Sequence, residues 1–190
     1  MSKQRIGILG GTFDPFHIGH LRMGLSVLES GYLDQLLVIP SGLPPHKTCS
    51  APAEDRWKMV VSACACNEKL VPSRIELDRP GTIYTFDTLT GIKKQYPKSD
   101  LFYVIGADTL MQLHSWHHWD KVLKLCTFLI CQREGIAEPD AFASELSRLG
   151  NLGGRFLSVP MGPVSVSSSG IRSSFASGII PDGLPVPVRE

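Results

Sequence analysis

A charge of one sign is missing from this 190-residue chain: 19 Lys and Arg stand against 18 Asp and Glu, for a formal net charge of +1. With no basic run, electrostatics gives no support for nucleic-acid binding. Long hydrophobic runs are missing too, and none approaches the length that spans a membrane. The first apolar stretch, Arg5-Ile6-Gly7-Ile8-Leu9, is too short for the h-region of a signal peptide. Cysteine is sparse and unpatterned. The five residues (Cys49, Cys64, Cys66, Cys126, Cys131) are an odd number with no C-x-x-C pair, which suits a reducing cytoplasm rather than a disulfide framework. Cys64-Ala65-Cys66 lacks a second pair for a metal site, and a buried helical role suits free cysteine. Neither repeats nor linker composition divide the chain, so residues 1–190 read as one cytoplasmic domain.

Two familiar phosphate-binding patterns are absent as well. No Lys-Ser or Lys-Thr follows the glycines near the N-terminus, so the P-loop is excluded, and Gly10-Gly11 and Gly19 have the wrong intervals for G-x-G-x-x-G. What stands in their place is Gly10-Gly11-Thr12-Phe13-Asp14-Pro15-Phe16-His17-Ile18-Gly19-His20. The apolar run before it has the pattern of a strand buried on both faces of a parallel sheet. Leu21, Leu25 and Leu28 after it recur at helical spacing until Ser30-Gly31. The stretch therefore falls between a strand and a helix, at the carboxyl-end crevice where such sheets bind ligands. Adjacent glycines let backbone N–H groups approach an anion, and a helix N-terminus adds unpaired N–H groups. His17 and His20 lie on one helical face and can donate to phosphate oxygens. A tight turn with two satisfied histidines would carry the same residues.

Further along, Gln35-Leu36-Leu37-Val38-Ile39-Pro40 reads as a second strand, followed by a Pro/Gly-rich loop ending in His46-Lys47. A helix is predicted over 53–66 and a strand over 73–77, with a turn at Asp78-Arg79-Pro80-Gly81. Thr82 opens a helix running to Tyr96, in which Thr85 or Asp87 can act as a cap. The run Asp100-Leu101-Phe102-Tyr103-Val104-Ile105 is a strand ended by Gly106-Ala107-Asp108. A glycine and an acid there suit a nucleotide and its ribose hydroxyls. His114 and His118 have i, i+4 spacing for a metal, but no glutamate completes a set. A strand over 127–132, a helix over 140–149 capped by Gly150, and a strand over 155–160 follow. Ser167-Ser168-Ser169-Gly170-Ile171-Arg172 then starts a short helix, where hydroxyls, N–H groups and a forked cation suit phosphate. The repeated β-α order implies an α/β chain: a single Rossmann-like, doubly wound parallel sheet with helices on both faces.

His17-Ile18-Gly19-His20 resembles the H-x-G-H signature of the nucleotidylyltransferase superfamily, and Val166-Ser167-Ser168-Ser169-Gly170-Ile171-Arg172 resembles its second signature, I-S-S-T-x-I-R. Within that superfamily the chain is similar to the bacterial nicotinate-nucleotide adenylyltransferases. The resemblance implies transfer of AMP from ATP to nicotinate mononucleotide, with Mg²⁺ carried by the ATP phosphates and no dedicated metal ligands. It implies catalytic roles for His17, His20 and Arg172. It places Gly10, Gly11, Thr12, Phe13, Gly106, Asp108, Ser168, Ile171 and Arg172 on ATP. Lys47 (in a P-P-H-K loop), Thr85, Trp116 and Arg133 fall on the acceptor, with Trp116 against its pyridine ring. The departures are Val166, Ser169, Thr82 and Glu134, the last where the family has R-P-G. The family also continues beyond Ser177 into another helix. A different acceptor (nicotinamide mononucleotide or pantetheine phosphate), a non-catalytic nucleotide-binding protein and a dinucleotide-dependent oxidoreductase remain as alternatives. Self-association into a homo-oligomer is left open.

Overall fold

Alternation with a period of two runs through every long strand of the computed structural model, which describes residues 3–42, 49–132, 138–179 and 181–189. The elements in order are β1 (Arg5–Gly11), α1 (Ile18–Glu29), β2 (Gln35–Pro40), α2 (Ala53–Cys64), β3 (Leu70–Pro72), α3 (Thr85–Gln95), β4 (Asp100–Gly106) and α4 (Ala107–Met111). After a 3₁₀ turn (Leu113–Ser115) come α5 (Trp119–Leu125), β5 (Thr127–Gln132), α6 (Pro139–Asn151), β6 (Arg155–Pro160), α7 (Ser168–Ala176) and α8 (Val186–Arg189).

Ile6 and Ile8 of β1, Leu37 and Ile39 of β2, Leu101, Tyr103 and Ile105 of β4, and Phe128 and Ile130 of β5 point to one side of the sheet. There they meet Leu89 and Ile92 of α3, Leu110 of α4, Val122 of α5, and Phe142 and Leu149 of α6. Their neighbours Leu9, Leu36, Val38, Val104 and Leu129 face the other side, against Val27 of α1 and Val60 and Ala63 of α2. Both faces are thus apolar, which is why the strands read as continuous hydrophobic runs.

All pairings are parallel, in the order β3-β2-β1-β4-β5-β6. The chain starts in the middle, builds one half outward, then crosses back to build the other. The strand order reverses between β1 and β4, the topological switch point of a Rossmann-like sheet. Register shows how it opens. β1 stays paired to β2 as far as Gly11↔Pro40, and β4 to β5 as far as Gly106↔Cys131. The β1–β4 pairing, however, ends at Ile8↔Tyr103. The carboxyl ends of the two central strands therefore diverge, and a crevice forms over Gly10 and Gly11.

Three local expectations are corrected. The third strand is Leu70–Pro72, not 73–77. Pro72 pairs with Val38, whose carbonyl accepts the Ser73 N–H at 3.0 Å, and beyond that bond side-chain contacts govern. Arg74 bonds to Glu54 (2.6 Å) and Asp78 (3.0 Å), and lies 5.1 Å from the Trp57 ring centroid. α3 begins at Thr85 rather than Thr82, with the Asp87 carboxylate accepting the Tyr84 N–H at 3.3 Å. α6 runs past Gly150 to Asn151, and Gly153, at φ +93°, makes the left-handed turn that follows it. No helix among the described residues is long and apolar enough to cross a membrane.

Candidate functional site

The crevice holds a cavity of about 400 Å³, walled by Gly10, Gly11 and Thr12 on one side and by Thr85, Tyr103 and Trp116 on the other. Its floor depends on small residues. A Cβ on Gly10 would lie 2.7 Å from the Tyr103 hydroxyl oxygen, so any larger residue would displace that phenol. Thr85, the first residue of α3, and Trp116, just after the 3₁₀ turn, come from separate segments. They share one wall because α3 and the α4–α5 connection pack on the same face of the sheet. Trp116 meets Tyr103 edge-on, with centroids 5.6 Å apart. His114 and His118 do not share a helical face: one lies in the 3₁₀ turn, and the other is left-handed (φ +53°). Among the described residues no group of three or more His, Cys, Asp or Glu could hold a metal ion.

His17 is the N-cap of α1. Its Nδ1 accepts the Gly19 N–H (3.2 Å), while its own N–H donates to Nδ1 of His20 (3.2 Å). The two rings stack at 3.7 Å and 19°. With both Nδ1 atoms acting as acceptors, each neutral ring carries its proton on Nε2. Phe13 and Phe16, 5.0 and 5.3 Å from the His20 centroid, support that ring from the core. The side chain of Phe13 is therefore buried, and Phe13 borders the site only through its backbone. Gly19 fits closely under the stack: a Cβ there would lie 3.0 Å from the His17 ring and 3.1 Å from Val164.

The helix itself differs from expectation. The first N–H groups of α1 are not unpaired. Ile18 donates to the Gly183 carbonyl (2.8 Å), Gly19 to His17 Nδ1, and His20 to the His17 carbonyl (2.9 Å). What α1 offers an anion is the imidazole pair and its dipole rather than a row of open amides.

The second signature packs directly on the first. Arg172 Nη1 donates to the Asp14 carbonyl (2.6 Å), and the Ser168 hydroxyl to the Pro15 carbonyl (3.2 Å). Residues more than 150 positions apart thus meet at the loop that follows β1. Ile171 on the same turn is 2% exposed, so its side chain anchors α7 in the core. Gly106 ends β4 with open space around the position of a Cβ, and Asp108 is exposed in the first turn of α4. Lys47 and Arg133 lie outside the described residues.

Three residues that the sequence did not single out hold this arrangement together. Arg56 of α2 is 2% exposed and donates to the carbonyls of Thr12 (2.8 Å), Ser41 (2.8 Å) and Gly42 (3.3 Å), clamping the loops after β1 and β2. Asp14 does the same from the opposite side, accepting N–H groups of Ser50 (2.6 Å) and Ala51 (3.1 Å). Glu76, on the cavity wall, accepts the Thr88 hydroxyl (2.7 Å). Burial pushes its carboxyl above the ordinary range, partly offset by the Thr88 and Gly42 hydrogen bonds. No i, i+4 pattern marks Arg56, and an arginine in a helix reads as solvated. By contrast, Cys64, Cys126 and Cys131 are buried thiols pushed up to about 12, unsuited to nucleophilic chemistry.

The sheet opens at its switch point, and the loop after β1 joins the paired imidazoles of α1 to the serine-arginine turn of α7. The cytidylyltransferase-like family model matches residues 8–174. A Shewanella sp. (strain MR-4) protein named "Probable nicotinate-nucleotide adenylyltransferase" is 38% identical over 97% of this chain and 93% of its own. A protein of the same name from Corynebacterium jeikeium is 37% identical over 93% of both chains. The chain belongs to the cytidylyltransferase-like family, in its nicotinate-nucleotide adenylyltransferase branch. The fold agrees. The Plasmodium falciparum nicotinic acid mononucleotide adenylyltransferase complexed with NaAD aligns at TM-score 0.73 and 18% identity, over 90% of this chain and 83% of that one. A Vibrio parahaemolyticus protein named for nicotinate-nucleotide adenylyltransferase activity aligns at TM-score 0.67 and 20% identity, over 98% and 96%.

Proposed function

We propose that the protein transfers AMP from ATP to nicotinate mononucleotide, releasing pyrophosphate and forming nicotinate adenine dinucleotide. The observation that carries this reading is the junction of the two signatures on the loop after β1, through the Arg172–Asp14 and Ser168–Pro15 hydrogen bonds. The phosphate of the acceptor is already a nucleophile. One of its oxygens attacks the α-phosphorus of ATP as the bond from that phosphorus to the β-bridging oxygen breaks. Catalysis is then positioning and charge neutralisation. His17 and His20 donate from Nε2 to phosphate oxygens as charge moves onto the leaving pyrophosphate. Ser168, Arg172 and the backbone of Gly10, Gly11, Thr12 and Phe13 complete the cradle, with Ile171 as its buried anchor. The donors here are imidazole, hydroxyl, guanidinium and amide groups, which suit phosphate oxygens rather than a cation. Mg²⁺ therefore enters as part of the substrate, MgATP, held by phosphate and water.

Gly106 and Asp108 take the adenosine end of ATP. The acceptor occupies the 400 Å³ cavity, its pyridine ring against Trp116 and beside Thr85, a flat aromatic face suiting a flat ring. Lys47 and Arg133, outside the described residues, are assigned to the acceptor from the family resemblance alone. The test is pyrophosphate release with MgATP, offering nicotinate and nicotinamide mononucleotides separately. Turnover with a preference for nicotinate is expected. No release with either acceptor would overturn the reading.

A further inference from the structure

Tyr103 has no part in the chemistry above, yet its hydroxyl reaches the acceptor cavity from the floor. It is the last β4 residue in register with β1, paired with Ile8, and so stands where the sheet parts. Its side chain is 8% exposed, and its ring is held edge-on by Trp116 (5.6 Å, 79°) and Phe128 (6.3 Å, 64°). The oxygen lies over the glycine gap at Gly10, where a Cβ would approach to 2.7 Å. Burial holds the phenol well above its ordinary range, so it remains O–H. The Thr85 side chain is hydrogen-bonded to it, in the sense that opposes this upward push. A phenol both donates and accepts, so its O–H can serve a ligand beside Thr85. Among the described residues that line the cavity, the one carboxyl is Glu76, which already accepts from Thr88 and from the Gly42 N–H. The cavity thus has a phenolic O–H beside its aromatic face, on a side chain packed edge-on against two rings.

We infer that the Tyr103 hydroxyl is a specificity-determining donor, hydrogen-bonded to the carboxylate on the pyridine ring of the acceptor. The inference rests on the proposed function, and it adds a side-chain determinant to the ring contact of Trp116. A hydrogen bond to a charged acceptor is stronger than one to a neutral amide, so this donor favours nicotinate over nicotinamide. A site built to donate discriminates against a ligand that accepts less well.

The test is Tyr103→Phe, which removes one oxygen and keeps the ring between Trp116 and Phe128. Steady-state kinetics of wild type and variant are compared with both mononucleotides, alongside thermal melting. The expected result is a KM for nicotinate mononucleotide raised about tenfold, with KM for ATP unchanged. The preference for nicotinate over nicotinamide should shrink by a similar factor. A hydroxyl that served only packing would leave that preference where it was. Unchanged acceptor kinetics, a fall in kcat alone, or equal rises in both KM values would each overturn the inference. Wild type measured in the same assay separates this from failure of the functional reading, which would leave wild type inactive with nicotinate mononucleotide.

Discussion

His20 makes the sharpest demand on a single side chain. Its ring is packed between Phe13, Phe16 and His17, and its Nδ1 is committed to the His17 backbone, so the function assigned to it falls on Nε2. His20→Ala removes that donor together with the support of the His17 ring. Loss of one donor to a developing oxyanion costs on the order of 10²–10³ in kcat. The backbone of α1 remains closed by the His17 carbonyl, which accepts from His20 and Leu21 at 2.9 and 3.1 Å. The expected outcome is therefore a collapse of pyrophosphate release with a melting temperature lowered by only a few degrees. Turnover within a factor of two of wild type would remove His20 from the mechanism. This residue was legible in the sequence because its signal is local: two histidines and a glycine within four positions, after a strand.

Between elements, the site depends on contacts that no local pattern carries. Arg56 reaches back 44 residues to Thr12 and 15 to Ser41. It joins the loops after β1 and β2, whose backbones must lie side by side for the crevice to keep its shape. Arg56→Met keeps most of the apolar stem but leaves the Thr12, Ser41 and Gly42 carbonyls short of their donor. Each such group costs about 1–3 kcal/mol, so a total of about 3 kcal/mol is expected once relaxation is allowed. For a chain of this size that is a drop of roughly 6–12 °C in Tm, read by thermal melting. KM for ATP should rise with it, because Gly11 and Thr12 lose their backing. A variant as stable as wild type would show that the clamp carries no load. The misplaced third strand has a related cause: residues 73–77 alternate like a strand, but the Arg74 ion pairs and the Glu76–Thr88 bond bend them onto α2 and α3. The doubly wound parallel class, by contrast, followed from the apolar runs of β1, β2, β4 and β5, since burial on both faces leaves a mark that a single sequence can show.

At the scale of the whole molecule, one half-buried carboxyl links separate parts of the fold and ties stability to pH. Glu76 follows β3, bonds to Thr88 of α3, and receives the N–H of Gly42 beyond β2. Its folded pKa lies above the ordinary glutamate value of 4.5, burial being the largest cause. The folded state therefore holds this proton more tightly than the unfolded chain does. Unfolding free energy falls as pH rises from about the unfolded value through the folded one, because the unfolded state then binds fewer protons. Glu76→Gln keeps the shape and an accepting oxygen but has no proton to lose. Whatever constant offset the substitution introduces, the difference in Tm between variant and wild type should move in favour of the variant as pH is raised from 4 to 8. Other titrating groups are common to both proteins and cancel in that difference. A difference independent of pH would mean that Glu76 titrates as it does in the unfolded chain, and that its carboxyl is ionised over the neutral part of that range.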